Sequence, residues 1–300
     1  MLSIIIVNYK TESYVRACLA SISRYCGDIA REIIVVDNHA GDLLFKADIV
    51  ERGYKYIDSG GNIGFGRACN LGAHVATGST LVFVNPDVTF TKNALGQAQS
   101  AVKEFGDKSI VGFNMVNANG EPTYCAGHFP CLTAELLELF YVHKWWPSLY
   151  KAYQLAATFS DEKKGFLEVD HVSGAFFAIN AKTFHSLGGF SDKIFLYFEE
   201  TELMYRHRMQ GGRIVLMLEA RASHIGSVVT SEDSDFKITH MELGRLAFYR
   251  TRYRTFLRIV TRVVRSLRLL VMGIVKRRSI YLRLIPTVLL GQTCFSGALR

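Results

Sequence analysis

The 300-residue sequence predicts an α/β fold, a mainly parallel central sheet flanked by helices, followed by a basic helical extension. Three observations predict it. Short β-branched runs alternate with helical periodicities through the first hundred residues, the pattern of a sheet covered on both faces. Polar residues stand just past the ends of those runs, where open α/β sheets bind ligands. The charge also changes sign along the chain. Leu243 to Arg300 holds thirteen Lys/Arg and no Asp/Glu, leaving 22 basic against 27 acidic residues before it.

Ile4-Ile5-Ile6-Val7 is too short for a helix and runs into Asn8-Tyr9-Lys10-Thr11. It lacks a basic leader and a small-residue cleavage site, so it reads as a first strand rather than a signal peptide. Val15, Leu19 and Ile22 recur at helical spacing between Ser13 and Tyr25. Ile33-Ile34-Val35-Val36 is a second strand, ending in Asp37-Asn38, and Tyr54 to Ile57 a third. Gly64 to Ala76 reads as a helix and Thr80 to Val84 as a fourth strand, closing on Asn85-Pro86-Asp87. Asn8, Asp37 and Asp87 are therefore expected to converge on one crevice.

The middle is less regular. Trp145-Trp146-Pro147 and Phe159 to Gly165 read as loop or helix-loop material near a binding face. Val172 to Ile179 gives another strand, Leu187 to Phe190 a turn and Glu200 to Met209 a helix. Arg213 to Leu218 is a last strand ahead of Ala222-Ser223-His224. This divides the chain into a body, residues 1–235, and a basic amphipathic helical tail, residues 236–300.

Asp87 follows a buried strand, and Pro86 fixes the backbone just before it, presetting the carboxylate direction. Such an acid either caps a turn or holds a divalent cation; oxygen ligands with open positions suit Mg2+ or Mn2+. Gly60-Gly61-Asn62-Ile63-Gly64-Phe65-Gly66-Arg67 is a glycine-rich loop entering a helix, suited to close approach by an anion. It is neither a dinucleotide-binding GxGxxG nor a Walker A sequence. Glu199, Glu200 and Glu202 form the densest acidic cluster of the body. Glu202 stands four residues before Arg206, an ordinary helix ion pair. The apolar run Phe195 to Phe198 would raise a neighbouring carboxyl pKa, useful in a general base. His224 reads as a structural histidine or a metal ligand. The six cysteines show neither CxxC pairs nor zinc spacing, which fits free thiols.

In the tail, Arg254, Arg258, Arg262 and Arg265 recur with apolar residues between them. The charge-free stretches Leu269 to Val275 and Leu284 to Leu299 fall short of the roughly 20 residues of a spanning helix. The tail is expected to lie on an anionic membrane surface. Nucleic acid is the other partner for such charge. No aromatic-basic RNA-binding pattern or zinc module is present, and no nucleic acid is expected.

Taken in order, these motifs resemble the family 2 glycosyltransferases, and within them the rhamnosyltransferase-like group. The resemblance runs from Ile4 to about Ser227 through Val7-Asn8-Tyr9, Val36-Asp37-Asn38, Asn62-Ile63-Gly64-Phe65-Gly66 with Asn70, and Asn85-Pro86-Asp87. Val172-Ser173-Gly174-Ala175, Gly188-Gly189-Phe190, Tyr197-Phe198-Glu199-Glu200 and His224 complete it. It implies a GT-A fold and inverting transfer from a nucleotide-diphosphate sugar, with dTDP-rhamnose the first choice and a UDP-sugar the alternative. Asn8, Tyr9, Asp37, Asn62, Gly64, Phe65, Asn70, Asn85 and Asp87 would then bind the nucleotide sugar, Asp37 at the nucleobase. Asp87 and His224 would hold Mg2+ or Mn2+, and Ser173 and Gly174 would face the acceptor. Glu200 stands where the family usually places the Asp of its base motif, with Glu199 as the alternative base. Asn85 replaces the first acid of the metal signature. The implied setting is the cytoplasmic face of a bacterial plasma membrane, with a lipid-linked saccharide as acceptor in O-antigen or lipopolysaccharide synthesis.

Overall fold

A computed structural model describes residues 1–27, 29–39, 41–151, 165–226 and 235–293. The chain opens with β1 (Leu2–Asn8), α1 (Glu12–Tyr25), β2 (Arg31–Asp37), α2 (Leu43–Glu51), β3 (Lys55–Asp58), α3 (Phe65–His74) and β4 (Thr80–Val84). β1 is flanked in parallel by β2 and β4, so that Ile4 faces Ile33 on one side and Val82 on the other. β3 adds in parallel outside β2. Every residue of β1 and β4 is buried, which is why their sequences are continuous apolar runs rather than alternating ones.

Next come β5 (Val88–Phe90), α4 (Ala94–Phe105), β6 (Ser109–Val116), β7 (Ala126–Gly127), α5 (Leu132–Leu139), α6 (Val142–Trp145) and α7 (Pro147–Lys151). Then follow β8 (Phe166–Glu168), β9 (His171–Val172), β10 (Phe176–Asn180), α8 (Ala181–Ser186), α9 (Glu199–Met209) and β11 (Arg213–His224). The main sheet runs β3-β2-β1-β4-β10-β6-β11-β5, with β8 paired to β11. β10 enters antiparallel between β4 and β6, while β11 lies parallel to β6. Phe83, Phe177, Phe184 and Phe190 pack beneath it, with ring centroids of Phe83 and Phe177 5.0 Å apart.

The single strand expected over Val172 to Ile179 is two. β9 and β10 are parted at Ser173-Gly174-Ala175, where Ser173 N donates to Cys125 O at 2.7 Å and Asn85 N to Ala175 O at 2.8 Å. The last strand extends past Leu218 to His224 through an irregularity between Met217 and Ala222. Trp145 and Trp146 lie in or beside the short helices α6 and α7 and are exposed, away from the cavity described below. Of the stretch Phe159 to Gly165, residues 159–164 lie outside those described. Cys18, Cys26, Cys69, Cys125 and Cys131 are free thiols.

The C-terminal part is α10 (Asp235–Arg252), α11 (Thr255–Lys276) and α12 (Ser279–Leu290). α10 joins the main core: Phe248 is fully buried against Phe129, Phe198 and Tyr205. Leu246, Leu269, Ile280, Leu284 and Val288 make a second, smaller core among the three helices. The arginines of α11 point inward. Arg265 is buried, donating to Glu135 at 2.7 Å and to Glu242, and Arg268 pairs with Glu138. Arg245 and the Tyr249 hydroxyl also donate to Glu135. Burial alone would raise the Glu135 carboxyl pKa, but Arg265 and Arg245 hold it well below the usual carboxylate range. Among the described residues, no helix is long and apolar enough to cross a membrane.

Candidate active site

A cavity of about 590 Å3 opens beyond the C-terminal ends of β1, β2 and β4, which contribute Tyr9, Asn38 and Asn85 to Asp87 respectively. This is the crevice that a parallel sheet predicts. Its wall on one side is the loop after β4. Asp87 is buried there, and its Oδ2 accepts from Gly226 N at 3.0 Å and lies 3.3 Å from His224 Nε2. The antiparallel pairing of β11 with β5 sets His224 opposite Val88 and so brings the imidazole to a carboxylate 137 positions earlier in the chain.

Asn85 lines the same cavity, and its Oδ1 is buried with no hydrogen-bond partner. A buried amide oxygen without a donor is costly unless something else satisfies it. The donor set of Asp87, His224 and this oxygen fits a hard divalent cation that keeps positions open for substrate oxygens. Among the described residues no cluster of three or more His, Cys, Asp or Glu could hold a metal, so no all-protein cage is formed.

The start of α9 also lines the cavity. Tyr197 and Phe198 are both left-handed, at φ 66° and 73°, a conformation non-glycine residues rarely adopt. This turn aims Glu199 and Glu200 into the cavity. It is held on one side by Phe65 N donating to Phe195 O at 3.0 Å, and on the other by α10, whose Gly244 packs on the Tyr197 carbonyl. Glu199 is almost fully buried against α3, at Gly66, where a β carbon would sit 3.2 Å from Glu199 Cγ, in tight contact. Burial, then the charge of Glu200, pushes its carboxyl pKa up to about 8. Glu200 is partly exposed and faces Gly174 and Tyr124; burial of its surroundings raises its pKa too. A helix N-terminus favours the ionised forms, so desolvation and mutual repulsion outweigh the dipole here.

Glu202 turns away. It accepts from Arg206 Nε at 2.9 Å and from Thr251 Oγ1 at 3.2 Å, the structural role expected of it.

The remaining sequence candidates divide. Tyr9, Asn62, Gly64, Phe65, Asn85, Asp87, Ser173, Gly174, Glu199, Glu200 and His224 meet at the cavity. Asn8 and Asp37 are buried and bonded to one another at 3.0 Å, and Asp37 also accepts from the Tyr56 hydroxyl at 2.7 Å. They brace the strand ends behind the cavity wall. Asn70 exchanges two bonds of 2.9 Å with the Phe190 backbone, tying α3 to the Gly188-Gly189 turn. Gly64, at φ 92°, is required by the approach of the Phe195 carbonyl, and Gly64 N is taken by Asn62 Oδ1 at 3.1 Å. The glycine-rich loop is thus a packing device as much as an anion cradle.

Phe195, from the apolar run before the acidic cluster, also lines the cavity, as do Tyr124, Phe236, Lys237 and Met241, which no local sequence pattern marks. Among the described lining residues Lys237 is the sole Lys or Arg. It comes from the first turn of α10, within the stretch that reads from sequence as tail.

Comparison with known proteins agrees with this geometry. The sequence model "Glycosyl transferase family 2" matches residues 3–187. "Low-salt glycan biosynthesis hexosyltransferase Agl10" of Haloferax volcanii is 27% identical over 213 residues, 70% of this chain and 62% of that protein. The chain therefore spans less than two thirds of that relative's length. Among solved structures, GalNAc-T7 with UDP, GalNAc and Mn2+ superposes with a TM-score of 0.59 at 16% identity, over 84% of this chain and 50% of that one. S. aureus TarS in complex with UDP-GlcNAc superposes with a TM-score of 0.52 at 14% identity, over 97% and 92%. These two likenesses show the GT-A fold. With more than half of its residues matched by the family model, and with that fold, the chain belongs to glycosyl transferase family 2.

Proposed function

We propose that the protein is an inverting glycosyltransferase, moving a sugar from a nucleotide-diphosphate donor to a saccharide hydroxyl. The observation that carries this reading is that two groups line one cavity, Asp87 paired with His224 and Glu199 beside Glu200. Glu200, the more accessible carboxylate, takes the proton from the attacking hydroxyl. Its raised pKa suits that task, since the base must hold the proton once the bond to the anomeric carbon has formed. Glu199 is the reserve, too buried for direct approach, its own carboxyl pKa raised by burial and by the charge of Glu200. Asp87, His224 and the Asn85 amide would hold Mg2+ or Mn2+, which when bound neutralises charge on the leaving diphosphate. Lys237 adds a permanent cation to the same cavity, suited to the diphosphate where Asn85 stands in place of an acid. Single attack from the face opposite the leaving group gives inversion.

For the donor, the Asn85-Pro86-Asp87 loop favours dTDP-rhamnose through the group it resembles; the UDP and UDP-GlcNAc of the structural neighbours favour a UDP-sugar as second reading. The acceptor we propose is a lipid-linked saccharide of a surface glycan; the glycan-biosynthesis relative supports the saccharide part. A thermal-shift screen of nucleotide sugars with Mn2+, followed by transfer assays, tests the reading. Stabilisation by dTDP-rhamnose above UDP-sugars is expected. The reverse order overturns rhamnose, and no response to any nucleotide sugar overturns the activity.

A further inference from the structure

α11 is built the reverse way to an ordinary surface helix. Its charged face is turned inward: Arg265 and Arg268 meet Glu135, Glu242 and Glu138, and Arg262 lies against Gly291 of the next helix end. Its outward face is apolar. Phe256, Ile259, Val263, Leu267, Leu270 and Ile274 are all exposed, Phe256 by 75% and Ile274 by 66%. They recur at spacings of three and four residues, so they form one line along the helix, and no charged residue falls on it. At 1.5 Å per residue the line is about 27 Å long. α12 continues the exposed apolar surface with Leu282, Leu289 and Leu290.

Exposed cations stand around this surface. Arg254 precedes α11, Lys276 ends its last turn with Arg277 next, and Arg283 lies on α12. No acid occurs after Glu242. Arg254 occupies the helix N-cap without a capping bond, a position where the helix dipole disfavours a cation. Its placement answers to something outside the helix.

We propose that the outward face of α11, continued by α12, docks in the headgroup–acyl boundary of an anionic lipid bilayer. The apolar line enters the boundary, and Arg254, Lys276, Arg277 and Arg283 meet the lipid phosphates. A second copy docked face to face fits less well, because it would set these cations against their own kind, and α11 and α12 carry no acid to meet them. Spanning does not fit either, because arginines interrupt the helix and face the protein. The inference goes beyond the proposed transfer reaction and stands on this face alone.

Flotation of the full-length protein with vesicles tests it. Wild type should float with phosphatidylcholine vesicles containing about one third phosphatidylglycerol, and far less with phosphatidylcholine alone. Phe256→Ser with Ile274→Ser, both at exposed positions, should lower the bound fraction about tenfold or more, while the melting temperature and nucleotide-sugar thermal shift stay unchanged. Arg254→Gln with Lys276→Gln should weaken binding only to the anionic vesicles. Wild type that fails to float, or a serine variant that binds as well as wild type, overturns the proposal. So does sedimentation velocity showing a wild-type dimer that the serine variant dissolves without any vesicle binding.

Discussion

Gly244 of α10 lies against the carbonyl oxygen of Tyr197 so closely that no β carbon could fit. That contact joins the C-terminal helices to the left-handed turn that presents Glu199 and Glu200. Gly244→Ala should therefore displace the turn. Overpacking of this kind costs about 1–3 kcal/mol, and a small misplacement of Glu200 should lower kcat about tenfold to a hundredfold. Urea unfolding and steady-state kinetics on the same variant check both. Unchanged kcat would show that α10 does not brace the site.

Glu200→Gln should lower kcat by about 10²–10⁴, the range for loss of a general base, with donor KM little changed. Wild-type turnover in that variant would transfer the role to Glu199.

The carboxyl pair sets a pH dependence. Both pKa values are raised by burial, so the base is protonated and inactive at low pH, and kcat should rise with pH at values above those of an ordinary carboxylate. Glu199 ionises at the higher pH and is still neutral while Glu200 loses its proton, so Glu199→Gln should leave that rise in place. Stability follows the opposite sign. A folded pKa near 8 for Glu199 means that its stabilising contribution is present below the ordinary 4.5 and lost as pH rises through about 8. Glu199→Gln should flatten that loss in a series of melting curves between the two values.

Asp87→Asn should weaken Mn2+ binding by at least about tenfold, read by calorimetry or by the paramagnetic signal of bound Mn2+ without any turnover. Lys237→Ala should raise donor KM, or lower kcat, about tenfold while leaving Mn2+ affinity in place.

Arg265→Ala removes the Arg265 partner of the buried Glu242 and leaves Glu135 to Arg245 and Tyr249. Loss of one partner of such a group typically costs about 3–5 kcal/mol, and denaturant unfolding should show a loss of that order. Arg283→Ala, at an exposed position, should show almost none.

The residues that line the candidate site are largely legible in sequence because its acids stand at the ends of apolar runs or in a helix first turn. Asp87 after β4 and Glu200 in α9 are read that way, and the order of motifs added His224. Asn8 and Asp37 carry the same strand-end signal yet bond to each other, since adjacent parallel strands end side by side and polar residues there can satisfy one another. β6 escaped because Gly112 and Asn114 break its apolar run; Gly112 is there to admit Val172. The tail shows the limit most sharply. Periodicity separates the arginines of α11 from its aliphatics, but not which set faces the body. That is decided by Glu135 and Glu138 on α5, more than a hundred residues away.

The family-matched segment ends at residue 187, ahead of Glu199, His224 and Lys237. A fragment trimmed to that segment would keep Asn85 and Asp87 and lose Glu199, Glu200, His224 and Lys237, most of the charged lining of the cavity. Exchange of the cavity between relatives must accordingly carry α9, β11 and α10 with the matched segment as one cassette.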